Sequence, residues 1–122
     1  MKSGELNPTG RVFADFYSSA SGSVDLGTLQ KIYPIYYYTG TSATTWTLPT
    51  LSSLQNSMLF VMNRSLTLSA TLTLSKASSD SSGVIDRGSS ADQVSSFDLG
   101  RGDCAMMIGC PTKLRIVMIK DL

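Results

Sequence analysis

The side chains best able to do chemistry in this sequence are acidic residues and two cysteines, because the chain contains no histidine. The commonest general base and the commonest zinc ligand are therefore both missing. A calcium loop needs several oxygen ligands at ordered spacing, and the aspartates near predicted turns show no such order. These aspartates are Asp80, Asp86, Asp92, Asp98 and Asp103. Because no carboxylate pair is placed for glycoside cleavage and no histidine can activate a serine, we expect no enzyme, cofactor or metal.

Three short motifs have an ordinary structural interpretation beside a functional one. Cys104 and Cys110 can pair across a hairpin, but two cysteines make no disulfide framework, and we favour reduced thiols. Residues 101–103 spell RGD, the integrin-binding tripeptide, and we interpret them as a charged turn because a tripeptide carries little information. Residues 63–65 fit the glycosylation sequon, but the N-terminal residues lack a secretory signal, so we expect no sugar there.

Aromatic residues are concentrated at Tyr36, Tyr37, Tyr38 and Trp46. Such rings can stack on sugars or anchor a protein interface, which makes them candidate surface-recognition residues. They can equally pack inside a sheet, and alternation along a strand would divide the three tyrosines between core and surface. The sequence leaves both interpretations open, and packing inside a sheet is the commoner role of such aromatic residues.

Charge in this chain is sparse and balanced, with ten Lys and Arg against nine Asp and Glu. This balance indicates no nucleic-acid partner. Polarity comes instead from 20 Ser and 12 Thr, and a hydroxyl-rich surface with few charges resists self-association poorly. No apolar run approaches the ~20 residues of a membrane span, so we expect synthesis in a reducing cytoplasm without membrane insertion.

Short strand signals separated by turn residues recur along the chain from residue 31 onward. The predicted strands cover residues 32–38, 44–48, 57–63, 84–85 and 94–99, followed by a hairpin of residues 104–109 and 113–119. The clearest alternation places Leu66, Leu68, Leu72 and Leu74 on one face of a strand over 66–75. With no convincing helix, this pattern predicts an all-β fold: a small β-sandwich, a barrel-like domain or an intertwined trimer.

The first thirty residues differ from the rest in being rich in polar and turn-forming types. Residues 11–17 form a plausible short strand, but residues 18–23 have the composition of a flexible connector. Because this stretch cannot bury a core alone, we expect residues 1–30 to be an N-terminal arm for attachment. Residues 31–122 are then the β domain.

Two predicted strands are apolar on both faces, which requires cover on both sides. Residues 58–62 are uninterruptedly apolar, and Val117 and Ile119 lie opposite Leu114 and Ile116. One small sandwich leaves one face of most strands polar, so we expect copies of the chain to supply the second cover, as a homotrimer. The candidate trimer or core contacts are Leu59, Val61, Leu68, Leu72, Ile116 and Val117.

The order of motifs resembles a small β domain of bacteriophage tail-fibre, tail-spike and head-fibre proteins. An aromatic-rich strand is followed by residues 44–49 (TTWTLP), 58–65 (MLFVMNRS), 66–74, 85–88 (IDRG) and 99–103 (LGRGD). The resemblance implies a homotrimeric virion structural protein, either a short tail fibre or its receptor-binding tip. It also implies attachment to another virion protein, here through residues 1–30, and recognition of a host surface, for which a glycan is the candidate.

Two alternatives to a tail fibre stay open. The same resemblance fits a capsid decoration or head-fibre protein. From a different class, the chain fits a free carbohydrate-binding module, for which a long N-terminal arm has no evident use. A stable trimer in solution favours the virion interpretations, and a monomer favours the module.

Overall fold

The computed structural model describes residues 15–88 and 92–120, and these residues form two β-sheets. The first sheet has seven strands, in the spatial order β1 (Phe16–Ser19), β3 (Ile35–Tyr38), β5 (Met58–Asn63), β10 (Cys104–Gly109), β11 (Leu114–Ile119), β7 (Ile85–Asp86) and β8 (Gln93–Val94). The second sheet has four strands, in the order β2 (Val24–Asp25), β4 (Thr44–Thr47), β6 (Leu72–Ser75) and β9 (Ser96–Leu99). Two short 3₁₀ turns, Leu26–Thr28 and Leu51–Leu54, lie in the connections.

The two sheets share one core, to which each contributes alternate side chains of its strands. The first sheet buries Tyr36, Val61 and Met107, and the second buries Trp46 and Leu74. Burial in every second position is what the two-residue period of a strand produces when one face is covered. The arrangement is a β-sandwich, which confirms the predicted all-β class.

The first six strands alternate between the sheets, so that the chain winds through three successive coils. Strands β1, β3 and β5 are parallel neighbours in the first sheet. Strands β2, β4 and β6 are parallel neighbours in the second. Each coil therefore stacks on the one before it, as in a short β-solenoid.

The second half of the chain closes the sandwich with antiparallel pairing. Strand β10 pairs with β5 on one side and with β11 on the other, and β9 pairs with β6 in the second sheet. The predicted hairpin around residues 110–112 is confirmed, because β10 and β11 are consecutive antiparallel neighbours from Gly109↔Leu114 to Cys104↔Ile119.

The predicted strand over residues 66–75 is wrong for its first half. Only Leu72–Ser75 forms a strand, whereas residues 66–71 form the turn that carries the chain from β5 to β6. Two backbone hydrogen bonds close this turn, from Ala70 N to Thr67 O at 3.1 Å and from Thr71 N to Ser69 O at 3.0 Å. The alternation is real, but the chain must change sheets here, and crossing between sheets prevents ladder pairing.

Residues 15–30 of the predicted arm belong to the two sheets in this structure. Strand β1 pairs with β3 over four residues, β2 pairs with β4, and Leu26 is buried in the shared core. The described fold therefore extends to the N-terminal side of residue 30, where the arm was expected to end. Residues 1–14, including most of the predicted strand over residues 11–17, lie outside the described residues.

Helix is confined, in the described part of the chain, to the two 3₁₀ turns of three and four residues. Neither turn is long or apolar enough to span a bilayer.

Candidate functional site

The face of the seven-stranded sheet that points away from the core carries a continuous row of apolar side chains. The register aligns Phe16 with Ile35, Ile35 with Phe60, Phe60 with Met106 and Met106 with Val117. This row crosses five adjacent strands without a polar residue. Residues directly opposite each other on neighbouring strands share a face, so the five side chains form one strip.

Two further rows extend this strip into an apolar patch. One row aligns Tyr37, Met62, Cys104 and Ile119, and the other aligns Met58 with Ile108. We define the outer face as these two rows together with the first row: Phe16, Ile35, Tyr37, Met58, Phe60, Met62, Cys104, Met106, Ile108, Val117 and Ile119. Four of these side chains are more than half exposed: Phe16 56%, Met58 54%, Val117 51% and Ile119 53%.

The six predicted trimer or core contacts fall into two groups. Leu59, Val61, Leu72 and Ile116 are buried in the shared core. Val117 belongs to the outer face, and Leu68 is 76% exposed, so a core role for these two is excluded. The alternation within 114–119 separates Ile116 from Val117 because consecutive side chains on a strand point to opposite faces.

Three of the four candidate recognition aromatics are inside the protein, which corrects that prediction. Tyr36, Tyr38 and Trp46 are almost fully buried, and only Tyr37 reaches the outer face. Trp46 donates its indole N–H to Gly22 O at 3.1 Å, and its ring meets Tyr38 edge-on at 5.5 Å between centroids. Tyr38 donates its hydroxyl to Ser42 O. Their polar groups are satisfied by backbone, as buried Tyr and Trp require.

A cleft lies at the end of the outer face, where β5 ends and the turn between β9 and β10 approaches it. Its volume is about 490 Å³, and it is lined by Met62, Asn63, Arg64, Ser65, Leu66, Arg101, Gly102 and Cys104. A second hollow of about 390 Å³ shares Arg64 and Leu66 with the first and is also lined by Tyr37 and Thr39. The two hollows form one groove, which we call the arginine groove.

The two arginines of this groove have exposed side chains. Arg64 places its guanidinium carbon 5.4 Å from the centroid of the Tyr37 ring, a cation–π contact. Within residues 15–88 and 92–120, neither Arg64 nor Arg101 forms an ion pair. Leu66, which is 95% exposed, gives the same groove an apolar wall.

The turn that holds Arg101 is firmly braced, as the charged-turn interpretation of residues 101–103 requires. Asp103 is buried, accepts the N–H of Gly100 at 3.0 Å and pairs with Lys120 at 3.1 Å. Gly102 has a φ of +86°, which glycine adopts without strain. Because the Asp103 carboxylate is engaged inside the turn, only Arg101 of the tripeptide is displayed.

Asn63 of the apparent glycosylation sequon is fully buried. Its side-chain amide donates to Ala70 O at 2.6 Å and to Leu99 O at 2.9 Å, and its oxygen accepts the N–H of Ser65 at 3.1 Å. The amide that would carry a sugar is committed to the backbone, so this residue is a structural link between the two sheets.

The two cysteines are both free thiols. Cys104 and Cys110 lie at the start of β10 and just beyond its end, roughly 20 Å apart along an extended strand. A disulfide needs Cα atoms within about 7 Å, so a bond within one chain is excluded in this fold. Burial raises the pKa of the Cys104 thiol, which keeps it protonated and weakly nucleophilic.

Sequence reasoning missed the arginine groove and did not single out Phe60 or Met106 of the outer face. Phe60 and Met106 were detectable, because each alternates with buried neighbours in a predicted strand. Arg64 and Arg101 were not, because nothing local shows that residues from two distant turns meet. Within the described ranges 15–88 and 92–120, no three His, Cys, Asp or Glu side chains gather into a potential metal site.

Comparison with known proteins adds no further constraint on this site. No protein-family model matches the sequence, and neither curated proteins nor solved structures show a significant similarity to it.

Proposed function

We propose that this chain is a bacteriophage virion structural protein, a short tail fibre or its receptor-binding tip, that acts by assembly and binding as a homotrimer. The virion setting rests on the order of motifs from residue 35 to residue 119. The homotrimer rests on one observation, the apolar row from Phe16 to Val117 across five strands.

The size of the outer face supports a second copy of the chain as its cover. Three of the five strands are about 20 Å long and two are about 13 Å long, so at a spacing of about 4.8 Å they give a flat area of roughly 410 Å². That is about half of the ~800 Å² that each partner buries in a stable interface. Each large apolar side chain removed from water there contributes about 1.5–3 kcal/mol.

Symmetry explains how one patch can be covered by identical copies. In a cyclic trimer the outer faces converge on the three-fold axis, while each sandwich keeps its own core. Charge on this face is sparse: Arg115, aligned with Ile108 in the register, is paired with Asp86 at 3.3 Å. A paired charge costs less to desolvate than an unpaired one.

Attachment to another virion protein through residues 1–30 is part of the proposal. Strands β1 and β2 both fall in this segment, and among residues 15–88 and 92–120 they are the terminal strands of their sheets at the same end of the sandwich. Edge strands present unpaired backbone groups that a strand of a partner can extend. The same features suit a capsid decoration or head-fibre protein, so that alternative is retained.

The free carbohydrate-binding module is the weaker alternative. Three of its four candidate aromatics are buried, and a monomeric module has no use for a broad apolar face.

The test is the mass in solution of the wild type and three variants, by light scattering coupled to size exclusion at micromolar concentration. We expect the wild type at three times the chain mass of 13.1 kDa. Val117→Asp places a carboxylate on the outer face and should give a folded monomer. Ile116→Asp buries a carboxylate in the core and should unfold the protein.

The matched control is Thr45→Asp, which adds the same charge to an exposed position of β4 in the other sheet. It should remain trimeric with the circular dichroism spectrum of the wild type. A folded wild-type monomer, or a Val117→Asp variant that remains trimeric, would overturn the homotrimer proposal.

A further inference from the structure

The arginine groove has a charge pattern that selects its ligand. Arg64 and Arg101 are exposed at two points along it, and the nearby carboxylate, Asp103, is engaged by Gly100 and Lys120. A groove with two exposed guanidinium groups attracts anions, and each guanidinium can hold a carboxylate by two parallel hydrogen bonds.

We propose that the arginine groove binds an acidic polysaccharide through the carboxylate groups of successive sugar units. The proposal rests on the host-surface role proposed above and names the class of ligand that role would involve. Arg64 and Arg101 hold the carboxylates, and the exposed side chain of Leu66 supports the apolar face of a sugar ring between them.

The shape of the groove favours a polysaccharide over an acidic peptide. The strand at its base, β5, is paired on both sides, by β3 and by β10. No free edge is therefore open beneath the groove for a peptide to add as an extra strand. The continuous run of two hollows, about 490 and 390 Å³, instead suits an extended chain with repeated charges.

The position of the groove is compatible with the trimer. The groove shares Tyr37, Met62 and Cys104 with the outer face, whereas Arg64 follows the end of β5 and Arg101 lies in the turn before β10. Packing of the outer face therefore leaves the two arginines at its rim. Arg64 and Arg101 line the same cleft of a single chain, so we expect binding to survive dissociation of the trimer.

The experiment measures the affinity of the purified full chain for polygalacturonate, dextran sulfate, neutral dextran and polyglutamate by calorimetry at low and moderate salt. We expect binding of polygalacturonate that weakens with added salt, and none of neutral dextran. Arg64→Gln and Arg101→Gln should each weaken it about tenfold or more, and the double variant should abolish it.

The matched control is Arg87→Gln, which removes the same charge beyond β7, on the other side of β10 and β11. It should bind as the wild type does. Undiminished binding by the double variant, or no binding of polygalacturonate by the wild type, would overturn the proposal. Tighter binding of polyglutamate would assign the groove to an acidic protein segment, and tighter binding of dextran sulfate to sulfated glycans.

The two proposals fail in different ways. If Val117→Asp is a monomer that still binds short oligogalacturonate, both proposals hold. If the wild type is a trimer but binds none of these polymers, only the groove proposal is wrong. A monomeric wild type that binds polygalacturonate through Arg64 and Arg101 removes the homotrimer and retains the groove.

Discussion

Asn63 shows how much of this fold depends on one buried polar side chain. It ends β5 in the first sheet, and its amide group reaches the carbonyl of Leu99, the last residue of β9 in the second sheet. It also holds both ends of the turn between β5 and β6, through Ser65 N and Ala70 O. A buried carbonyl without a hydrogen-bond donor costs free energy. Loss of these contacts should therefore destabilise the fold.

Replacing this side chain should therefore destabilise the protein strongly. Asn63→Ala removes the amide donor to Ala70 O and Leu99 O and the acceptor of the Ser65 N–H, and should lower the free energy of unfolding by about 2–4 kcal/mol. Asn63→Asp places a carboxylate against the same carbonyls and should cost more. Urea denaturation at fixed protein concentration measures both, with Thr112→Ala in an exposed turn as a control expected within about 0.5 kcal/mol of wild type. An Asn63→Ala variant as stable as the control would contradict this role.

Tyr36 makes stability depend on pH at the alkaline end. Burial raises the pKa of its phenol above the ordinary 10.0, and the Tyr33 N–H donated to its oxygen at 2.8 Å opposes that rise only in part. The folded protein thus keeps the phenolic proton to a higher pH than the unfolded chain does. This contribution to stability is full below about pH 10 and is lost as pH rises through the folded-state pKa.

Tyr36→Phe should make the loss of stability at alkaline pH less steep. At neutral pH the variant should be about 0.5–1.5 kcal/mol less stable, because the Tyr33 N–H loses its acceptor. Above about pH 10 its stability should fall less steeply than that of wild type. Urea midpoints measured across this range test the difference, with Val61→Ala as a variant that lowers stability without removing a titrating group. Parallel profiles for Tyr36→Phe and wild type would refute the assignment.

At the scale of elements, the 3₁₀ turn Leu51–Leu54 packs unusually close to the end of β10. A Cβ added at Gly109 would lie 1.8 Å from Leu54 O and 2.4 Å from Leu54 C, both of them backbone atoms. Gly109 also donates to Ser57 O and accepts from Asn56 N, each at 3.0 Å. Glycine is needed here because two backbones touch.

Gly109→Ala should force the turn away from β10 and cost about 1–3 kcal/mol or more. The matched control is Gly22→Ala, whose added Cβ would meet only Thr44 Oγ1, at an ordinary 3.7 Å. The control should change the free energy of unfolding by little. Thermal or urea unfolding of the two variants decides the matter, and equal effects would show that the close approach is not what selects glycine.

The turn of residues 66–71 shows where strand periodicity misleads. Leu66 and Leu68 alternate with hydroxyl residues just as Leu72 and Leu74 do, yet the first pair is exposed and the second is buried. Alternation indicates which side chains can share a face of a strand. It does not indicate where the chain crosses from one sheet to the other.

At the scale of the whole molecule, the winding through both sheets determines what is exposed. Parallel pairing of β1, β3 and β5 brings residues about 20 to 25 positions apart into register. The antiparallel strands β10 and β11 then extend the same sheet, so that the outer face combines the beginning and the end of the described chain. The broad apolar patch exists only after these long-range pairings form.

The sequence by itself determined the all-β class, the closing hairpin and the two-sided apolar character of the strands now known as β5 and β11. These follow from local composition and the two-residue period, which need no knowledge of partners. The sequence also assigned Ile116 and Val117 to opposite faces of the sheet, because consecutive side chains on a strand point in opposite directions.

Only the tertiary structure decided which face is the core, and it chose packing over surface recognition for Tyr36, Tyr38 and Trp46. It also brought Arg64 and Arg101 to one groove and drew residues 15–30 into the sheets. The physical reason is common to all three outcomes. Local periodicity groups side chains into faces, but the energy of covering one face rather than the other comes from contacts between segments distant in the chain.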